Sequence, residues 1–436
     1  MDAQTPNHKS TVRIVVLGGG FTGIYAVRRL QKLFAGRADV QILLVSRTNF
    51  LLMTPLLFEV CSGKLEMSAC SISIREFLQR VAFIEATVKA IDLDRRVVLV
   101  SSGDTSTQEL SYDHLVLALG SMTNVSRIQG SELAFTFKTL ADAILLRNHV
   151  IERMERAEAE SDSNLRRREL TFVVIGGGLV GVEVFGELSA FIDEVVRYYP
   201  RLRRDEMRLY LLEAGARIMP EMSEELASYS TRVLSRRAGV SVRPSTPVER
   251  ITLGQVHLKD QVLNASTVIL SAGVTPSPIV AGLPVEKDRH GKIVVDGTMR
   301  CKQRPELWAA GDCASIPDPN GRPYPDLAQH AMREAKVLAE NIYAAINGLP
   351  VKPFEYKTKG IMASLGNRRG IAAVMGIPVR GFAAWWFRRS YYLLVTPRMA
   401  QRIRLMGDWT LALFFPPPLS KLDLDTEKDM LSRLVV

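Results

Sequence analysis

The chain has few cysteines, and their spacing excludes several kinds of site. Only four occur, Cys61, Cys70, Cys301 and Cys313, with no C-x-x-C pair and no spacing typical of a metal centre. The sequence therefore predicts no metal site and favours reduced structural thiols. A redox pair of Cys61 with Cys70 stays open as an alternative.

A long apolar segment is missing from the start of the sequence. The stretch MDAQTPNHKSTVR, before the first predicted strand, has no apolar run of the kind that marks a secreted protein. We therefore expect a cytoplasmic protein, or one on a membrane face reached from the cytoplasm. With 47% hydrophobic and 23% charged residues, the 436-residue chain is typical of a globular protein of two or three domains.

Acidic residues are missing between Glu355 and Asp408. The same stretch contains the basic residues Lys357, Lys359, Arg368, Arg369, Arg380, Arg388, Arg389, Arg398, Arg402 and Arg404. The whole chain has a formal net charge of +10, so the remainder is formally neutral. No nucleic-acid recognition motif accompanies the basic stretch, and we predict no nucleic-acid partner.

Two segments repeat the order strand, glycine turn, helix, strand. The first, residues 12–47, contains the turn GGGFTG, and the second, residues 170–213, contains GGGLVG. The strand before each turn is short and apolar, as expected for a parallel strand buried on both faces. A G-x-G-x-x-G turn in this context binds a dinucleotide pyrophosphate at the helix N-terminus. The predicted fold class is α/β, with two Rossmann-like, doubly wound domains.

The two segments differ where their second strands end. LYLLEAG ends at Glu213, placed to accept hydrogen bonds from the adenosine ribose hydroxyls and to repel a 2′-phosphate, which predicts a preference for NADH over NADPH. LLVSR ends instead at Ser46 and Arg47, and a serine hydroxyl makes only a weaker, neutral hydrogen bond. The first segment therefore lacks the carboxylate that such a site normally has.

Three further apolar strands run into glycine, where a backbone can pass close to a ligand. They are YDHLVLALGS, VILSAGVTP and LWAAGDCAS. In the last of these, Asp312 is well placed to bind the ribityl chain or pyrophosphate of a flavin through hydrogen bonds.

The C-terminal region alternates aromatic, basic and apolar residues. Arg388 and Arg389 interrupt FAAWWFRRSYYLLV before it could span a bilayer. In the next predicted helix an apolar stripe of Met399, Ile403, Met406, Leu413 and Phe414 lies opposite Gln401, Arg404 and Asp408. We predict a helix in the membrane interface, with Trp385, Trp386 and Trp409 at headgroup level and the basic residues facing anionic lipid. The alternative is a stripe that packs on the core of the protein itself.

The order of these motifs resembles the flavoproteins with two dinucleotide-binding domains, and more narrowly the type II NADH:quinone oxidoreductases. The resemblance covers nearly the whole chain and rests on NFLLMTPLLFEVCSG, FKTLADAILLRN, GVEVFGELS, AQHAMREA and the basic aromatic tail. It implies an FAD-binding domain in two parts, residues 10–125 and 290–349. It also implies an NADH-binding domain at 126–289 and a C-terminal membrane-interface and quinone-site region at 350–436.

The resemblance also implies a role for each matching residue. The FAD site would consist of Gly18, Gly20, Phe21, Gly23, Thr54, Pro55, Leu56, Ala118, Gly120, Asp312 and Ala328, with Ser46 or Arg47 replacing the missing acidic contact. The NADH site would consist of Gly176, Gly178, Leu179, Gly181, Glu213 and Gly273, with Glu183 near the nicotinamide. The quinone motif matches Ala328, Gln329, Ala331 and Glu334. It departs at Arg333, where glutamine is expected, so a cation would approach the quinone head group or form a charge pair.

The implied activity is hydride transfer from the nicotinamide C4 of NADH to N5 of FAD, followed by transfer of two electrons to a membrane quinone without proton pumping. The implied location is peripheral, on the cytoplasmic face of the membrane, and a homodimer stays open. One alternative is a disulfide or sulfide:quinone reductase, which needs paired cysteines close to the flavin. Another is a flavoprotein that signals through NADH-dependent charge transfer, with the tail as a partner-binding surface.

Overall fold

The computed structural model describes residues 11–103 and 106–421. The α-helices of these residues are α1 (Phe21–Leu33), α2 (Leu57–Cys61), α3 (Met67–Cys70), α4 (Leu140–Ala159), α5 (Ser163–Glu169), α6 (Leu179–Val195), α7 (Glu224–Ser235), α8 (Pro278–Ala281), α9 (Ala328–Ile346), α10 (Phe382–Val395) and α11 (Met399–Phe414). Local sequence fixes several of the helix starts. The Thr139 hydroxyl, for example, accepts a hydrogen bond from the Asp142 amide, and Asp142 accepts one from the Thr139 amide.

The β-strands are β1 (Val12–Leu17), β2 (Val40–Ser46), β3 (Phe50–Leu52), β4 (Ser71–Ser73), β5 (Ala82–Glu85), β6 (Thr87–Asp92), β7 (Val97–Ser102), β8 (Ser106–Ser111), β9 (His114–Leu117), β10 (Ser121–Thr123), β11 (Thr171–Ile175), β12 (Arg208–Leu212), β13 (Val240–Arg243), β14 (Val248–Thr252), β15 (Gln255–Leu258), β16 (Val262–Asn264), β17 (Thr267–Leu270), β18 (Val274–Pro276), β19 (Ile293–Val294), β20 (Arg300–Cys301), β21 (Arg304–Ala309), β22 (Ala314–Ser315), β23 (Gly360–Gly366), β24 (Arg369–Val374) and β25 (Ile377–Gly381).

The first of two units comprises the described residues of Met1–Leu52, Ser71–Met122 and Val274–Lys359. Its main sheet has the order β20-β21-β9-β1-β2-β5, in which the strands from β21 to β5 run parallel. Helices α1 and α9 pack against each other, with an ion pair of 2.8 Å between Arg29 and Glu340. Because parallel strands end at the same edge of a sheet, the segments after β1, β2, β9 and β21 all lie at one edge.

The second unit comprises the described residues of Met53–Cys70, Thr123–Gly273 and Gly360–Val436. Its parallel sheet has the order β13-β12-β11-β17, and a buried apolar cluster fills the space between this sheet and the antiparallel sheet β14-β15-β16. The C-terminal sheet β23-β24-β25 packs on α6. This approach is close, since a Cβ at Gly186 would lie 2.6 Å from the Leu365 carbonyl carbon.

The predicted fold class is confirmed, because each unit contains a parallel sheet with a strand, glycine turn and helix in the predicted order. The ranges of the units differ from the predicted segments. Residues 53–70 and 123–125 belong with the second unit, residues 274–289 and 350–359 with the first, and residues 360–421 with the second. Within residues 11–103 and 106–421, no helix combines the length and the apolar character needed to cross a membrane.

Candidate active site and dinucleotide-binding turns

The first glycine turn has the geometry that a bound pyrophosphate requires. Gly18 has a φ of 115°, and a Cβ there would lie 2.1 Å from the carbonyl oxygen of Ala118. A Cβ at Gly23 would lie 1.8 Å from the carbonyl oxygen of Gly18, so only glycine lets α1 approach β1. Gly20, which precedes Phe21 at the start of α1, is exposed, and no protein atom would lie within 4 Å of a Cβ there. The open space before an uncapped helix N-terminus fits the phosphates of FAD.

The strand after this turn ends at Ser46, which is buried and lies against the turn. A Cβ at Gly19 would lie 2.5 Å from the Ser46 hydroxyl, and that hydroxyl accepts a hydrogen bond of 3.3 Å from the Thr48 amide. The Arg47 side chain is exposed. The first turn is therefore lined by a small, neutral side chain at the position where the second turn has a carboxylate.

Two carboxyl groups of the first unit, Asp312 and Glu334, lie at another turn, which Gly311 and Asp312 form after β21. Gly311 has a φ of 72°, and a Cβ there would lie 2.3 Å from the Thr22 hydroxyl in α1. Asp312 accepts a hydrogen bond of 2.7 Å from the Ser121 hydroxyl, next to Gly120, and Glu334 accepts one of 2.9 Å from the Gly311 amide. The predicted FAD residues Ala118, Gly120 and Asp312 thus follow strands that end at the same edge as β1.

Glu334 lies behind this turn on α9. Burial raises the pKa of its carboxyl group to about 7, and the nearby carboxylate of Asp312 adds to the rise. A small depression between the turn and the start of α9 is lined in part by Asp312, Leu327, Ala331 and Glu334. A ligand at this edge of the sheet would meet acidic groups from β21 and α9.

The second glycine turn repeats the geometry of the first. Gly176 has a φ of 106°, and a Cβ there would lie 2.6 Å from the Ser271 carbonyl oxygen. A Cβ at Gly181 would lie 1.9 Å from the carbonyl oxygen of Gly176. Gly178 precedes the half-buried Leu179 at the start of α6, whose first turn has no side-chain cap. This turn also leaves free N–H groups for a phosphate.

Glu213 is tied to this second turn through both of its carboxylate oxygens. One oxygen accepts a hydrogen bond from the Gly177 amide and the other accepts one from the Gly215 amide, each of 2.6 Å. Gly273, after β17, is exposed with a φ of 89°, and its carbonyl oxygen accepts a hydrogen bond from the Asn124 amide. The half-buried carboxylate of Glu213 is therefore held in place beside the turn before any ligand binds.

Glu183, predicted to lie near the nicotinamide, belongs to a buried cluster of charges. Its carboxylate accepts a hydrogen bond of 3.0 Å from the Ser364 amide and lies 3.3 Å from the Arg388 Nε. Burial raises the pKa of Glu183 to about 7, although Arg388 and the Ser364 amide oppose the rise. One turn later on α6, Glu187 accepts hydrogen bonds from Lys64 and from the Ser364 hydroxyl. Burial acts against ionisation of Glu187, yet the Lys64 ammonium lowers its pKa.

Sequence reasoning missed Glu187 and also Glu59, a carboxylate in α2 that binds Arg388 and Arg389. A signal was present in both cases, because each glutamate stands in an otherwise apolar stretch, LLFEVC and VFGELS. A charged residue that is buried with an apolar segment needs a partner elsewhere in the chain. The sequence does not say which partner.

The segment Thr54–Leu56, predicted to lie by the isoalloxazine ring, forms a short 3-10 helix. Thr54 is exposed and Pro55 is half-buried, with its carbonyl oxygen bound by the Arg388 guanidinium. Leu56 is fully buried within its unit, which leaves only its main chain for contact with a cofactor.

The predicted quinone-site residues lie in the first turns of α9, which begins at Ala328. The Gln329 side-chain oxygen accepts a hydrogen bond of 3.0 Å from the Tyr356 hydroxyl. Arg333 donates to the Gln329 carbonyl oxygen, and its guanidinium lies over the Tyr356 ring at 4.4 Å from the centroid. Arg333 is thus held on an aromatic face. Tyr356, which the motifs did not indicate, joins the two predicted residues.

Two parts of the predicted membrane-facing surface are wrong. Arg388 was counted among the basic residues facing lipid, but it is 2% exposed and pairs with buried carboxylates. Trp385 and Trp409 were placed at headgroup level, but both are buried, and the Trp409 indole donates a hydrogen bond of 2.8 Å to Glu59. Each of α10 and α11 has one face toward the protein and one face away from it. The composition of the stretch does not say on which face a given side chain lies.

The apolar stripe of α11 is exposed, as predicted. Its residues have exposed fractions between 40% and 76%: Met399, Ile403, Met406, Leu413 and Phe414. On the opposite face the Gln401 amide binds the Ser68 carbonyl oxygen, and Asp408 accepts a hydrogen bond from the Glu66 amide. Within the described part of the chain, the face of α11 that contains Gln401, Leu405 and Trp409 therefore packs on the protein, and the apolar stripe does not.

Cys61 and Cys70, for which the sequence allows a redox pair, are both buried in the second unit. Burial raises the pKa of both Cys61 and Cys70 to about 12, and neither forms a disulfide bond. A thiol with so high a pKa is a poor nucleophile, since the thiolate is the reactive form.

Two glycine turns with the same geometry, each at the edge of a parallel sheet, are typical of an oxidoreductase with two dinucleotide-binding units. A family model described as pyridine nucleotide-disulphide oxidoreductase matches residues 12–335. The chain therefore belongs to the pyridine nucleotide-disulphide oxidoreductase family.

Several relatives carry more specific names. A probable NADH dehydrogenase of Dictyostelium discoideum is 31% identical over 92% of this chain and 90% of its own length. A demethylphylloquinone reductase of Synechocystis is 29% identical over 91% of this chain and 97% of its own. A type II NADH:quinone oxidoreductase of Staphylococcus aureus is 29% identical over 86% and 93%.

The fold matches a solved structure of NDH2 from Plasmodium falciparum in complex with NADH. The TM-score is 0.87 with 19% identity, and the match covers 94% of this chain and 100% of the other. Together with the named relatives, this match confirms the resemblance to type II NADH:quinone oxidoreductases that the motifs indicated.

Proposed function

We propose that the protein transfers a hydride from NADH to FAD and two electrons onward to a quinone. The observation that carries this proposal is the pair of glycine turns, one in each unit, of which only the second has a carboxylate bound to the turn. Two such turns fit two dinucleotides. The relatives named as NADH:quinone or demethylphylloquinone reductases support the direction of electron flow.

On the first unit, the turn from Gly18 to Gly23 would bind the FAD pyrophosphate through the main-chain N–H groups at the start of α1. Asp312 would accept hydrogen bonds from the ribityl chain, because its carboxylate lies at the same sheet edge. FAD, when bound, supplies the redox chemistry that no side chain of the protein can provide. The protein contributes binding, orientation and exclusion of water.

On the second unit, Glu213 would select NADH. Its two oxygens are already oriented by the Gly177 and Gly215 amides, and each keeps a lone pair for a ribose hydroxyl. A 2′-phosphate at the same position would meet a fixed negative charge. We therefore expect NADH to be preferred over NADPH.

At the start of α9, Gln329, Arg333 and Tyr356 would form the polar end of a quinone site. Tyr356 orients the Gln329 amide, and Arg333 supplies a positive charge held over the Tyr356 ring. Tyr356→Phe removes the hydroxyl and keeps the ring, so the KM for quinone should rise about fivefold while NADH still reduces the flavin at the wild-type rate. An unchanged quinone KM would remove Gln329 and Tyr356 from the proposed site.

The activity itself is tested with the purified protein. The flavin spectrum is recorded, and oxidation of NADH and of NADPH is followed with a quinone, a disulfide and sulfide in turn. Rapid turnover with NADH and a quinone supports the proposal, whereas bleaching of the flavin by NADH without reoxidation by any quinone contradicts it. Turnover with a disulfide or with sulfide would favour the alternatives that the buried thiols of Cys61 and Cys70 argue against.

We also propose that the exposed face of α11 lies on an anionic membrane surface on the cytoplasmic side. The apolar stripe supplies the contact area, and the exposed Arg398 lies beside it at the start of α11. A second copy of the chain could cover the same stripe, which would make a homodimer instead.

Point variants test this surface better than removal of the tail, because a truncation would also remove Arg388 from its buried carboxylates. Ile403→Gln with Met406→Gln should abolish most sedimentation with vesicles that contain phosphatidylglycerol. Leu253→Gln is the control, since Leu253 is 90% exposed on the turn between β14 and β15. Unchanged sedimentation of the double variant with vesicles would contradict the membrane proposal. So would a wild-type dimer that forms without lipid and is lost in the double variant, because the stripe would then bind a second copy of the chain.

A further inference from the structure

A buried ion-pair cluster joins the two C-terminal helices to the segment that follows Thr54. At its centre is Glu59 of α2, which is 2% exposed. One of its carboxylate oxygens binds Arg388 of α10 at 3.1 Å, and the other accepts hydrogen bonds from Arg389 and from the Trp409 indole at 3.1 and 2.8 Å. Both oxygens of one buried carboxylate are thus occupied by α10 and α11.

Arg388 makes contacts on every side. It pairs with Glu59 and Glu183, binds the Pro55 carbonyl oxygen, and lies between the rings of Phe58 and Tyr392, at 4.6 and 4.8 Å from their centroids. One guanidinium therefore contacts the Thr54–Leu56 turn, α2, α6 and its own helix.

Arg389 is held in a similar way. Its guanidinium lies between the Trp385 and Trp409 rings, at 4.2 and 4.9 Å from their centroids, and pairs with Glu59. Trp409 is on the side of α11 that faces the protein, while Met406 and Leu413 of the same helix are exposed. A surface that binds the exposed face of α11 would restrain the indole that binds Glu59.

A buried cluster of this kind adds little to stability compared with apolar packing, but it specifies one arrangement, because any shift leaves a charge unpaired in the interior. The geometry points to a defined role: Arg388 is a positioning residue that fixes residues 54–61 through Glu59 and the Pro55 carbonyl, and it links binding of a lipid surface by α10 and α11 to the order of that segment. The inference rests on the proposed function in assigning the stripe of α11 to lipid.

The test is amide hydrogen exchange of the flavin-loaded, full-length protein, read over peptides that cover residues 56–65. The amides of Ser62, Lys64 and Leu65 bind main-chain carbonyls of Phe58 and Glu59 and report on this segment. Arg388→Met should speed their exchange about tenfold, with α9 unchanged. Arg404→Met is the matched control, because it removes the same charge from an exposed position on α11 and should exchange as the wild type does.

Vesicles that contain phosphatidylglycerol provide the second arm. They should slow exchange of residues 56–65 in the wild type about threefold, and this effect should vanish in Arg388→Met. A purely structural role for Arg388 would speed exchange in the variant but leave the slowing by vesicles in place.

Equal exchange in the wild type and Arg388→Met would overturn the positioning role, and an equal effect of vesicles on both proteins would overturn the link to lipid. If Arg388→Met does not fold, Glu59→Gln keeps the shape and the Trp409 hydrogen bond and should show the same changes to a smaller degree. Exchange needs neither NADH nor quinone. If exchange changes as expected but the protein does not reduce a quinone, only the proposed function is refuted. If the protein reduces a quinone normally but exchange does not change as expected, only this inference is refuted.

Discussion

The two glycine turns of this protein have almost the same backbone and different partners. In each, the first glycine has a positive φ and touches the neighbouring strand, and the last lets the helix approach that first glycine within a distance that excludes a side chain. Beside Gly19 stand Ser46 and Ile74, and beside Gly177 stand Glu213 and Ile218. The largest chemical difference is the serine or glutamate at the end of the second strand, and the second turn also has Glu221 near Gly178, whereas no atom lies within 4 Å of a Cβ at Gly20.

This contrast shows that the turn and the acid have separate roles. The glycines create a space and free N–H groups for a pyrophosphate, and both proposed sites need them. Under the proposed function, the acid would discriminate between ribose and its 2′-phosphate where NADH must be selected from a mixed pool at each turnover. FAD would be held along its whole length without exchange, so the loss of one ribose contact at the first turn would be tolerable.

The largest expected effect comes from the glycines that both turns share. Gly23→Ala and Gly181→Ala would each force a Cβ against a carbonyl oxygen, which should cost roughly 3 kcal/mol or more of unfolding free energy. The first variant should lose flavin and the second should keep flavin but fail to bind NADH, as measured by the flavin absorbance per protein and by NADH titration. Gly36→Ala, with no atom within 4 Å of the new Cβ, is the neutral control. If Gly181→Ala lost its flavin and Gly23→Ala kept it, FAD would belong to the second turn and NADH to the first.

A second prediction concerns Glu334, the buried carboxyl group on α9. The pKa of Glu334 is raised to about 7 in the folded protein, above its unfolded value of about 4.5. Between these values the folded state keeps a proton that the unfolded state has lost, so stability falls as the pH rises through this window, by roughly 3 kcal/mol. Glu334→Gln cannot lose this proton and should gain about that much relative to the wild type between pH 4.5 and pH 8. Urea unfolding at the two pH values measures it, and parallel pH profiles would contradict the raised pKa.

The next prediction removes the charge that separates the two turns. Glu213→Gln keeps the size of the side chain and part of its hydrogen bonding, so the protein should fold and keep its flavin. The KM for NADH should rise about tenfold, and the ratio of kcat/KM for NADPH to that for NADH should rise by a similar factor, or about 1.4 kcal/mol. Steady-state kinetics with both nucleotides measure the change. An unaltered ratio would show that another group selects the nucleotide.

The smallest expected effect comes from giving the first turn the missing acid. Ser46→Glu should slow the release of FAD about threefold, because a carboxylate beside Gly19 could bind a ribose hydroxyl as Glu213 is proposed to do. Ser46→Gln is the neutral control of the same size. Flavin release in dilute protein is followed by fluorescence. A change in the preference for NADH over NADPH in Ser46→Glu would place NADH, and not FAD, at the first turn.

Much of the site was predictable because it depends on short segments. Both turns, and Glu213 directly after β12, lie where the sequence indicated. The errors concern residues whose partners are far away along the chain. Arg388 and Trp409 were assigned to lipid because they stand in an aromatic, basic stretch, yet both bind Glu59, which lies 329 and 350 residues away.

By itself the sequence determined the two glycine turns, the presence of a carboxylate directly after only one of the two following strands, and the amphipathic pattern of α11. These features follow from sterics and hydrogen bonding within a few residues of a strand end or within one helical turn. The tertiary structure alone decided which charges are buried and what they bind. A segment such as LLFEVC or WWFRRSYY contains a charge that must be paired if it is buried, and only the packing of distant segments supplies the opposite charge.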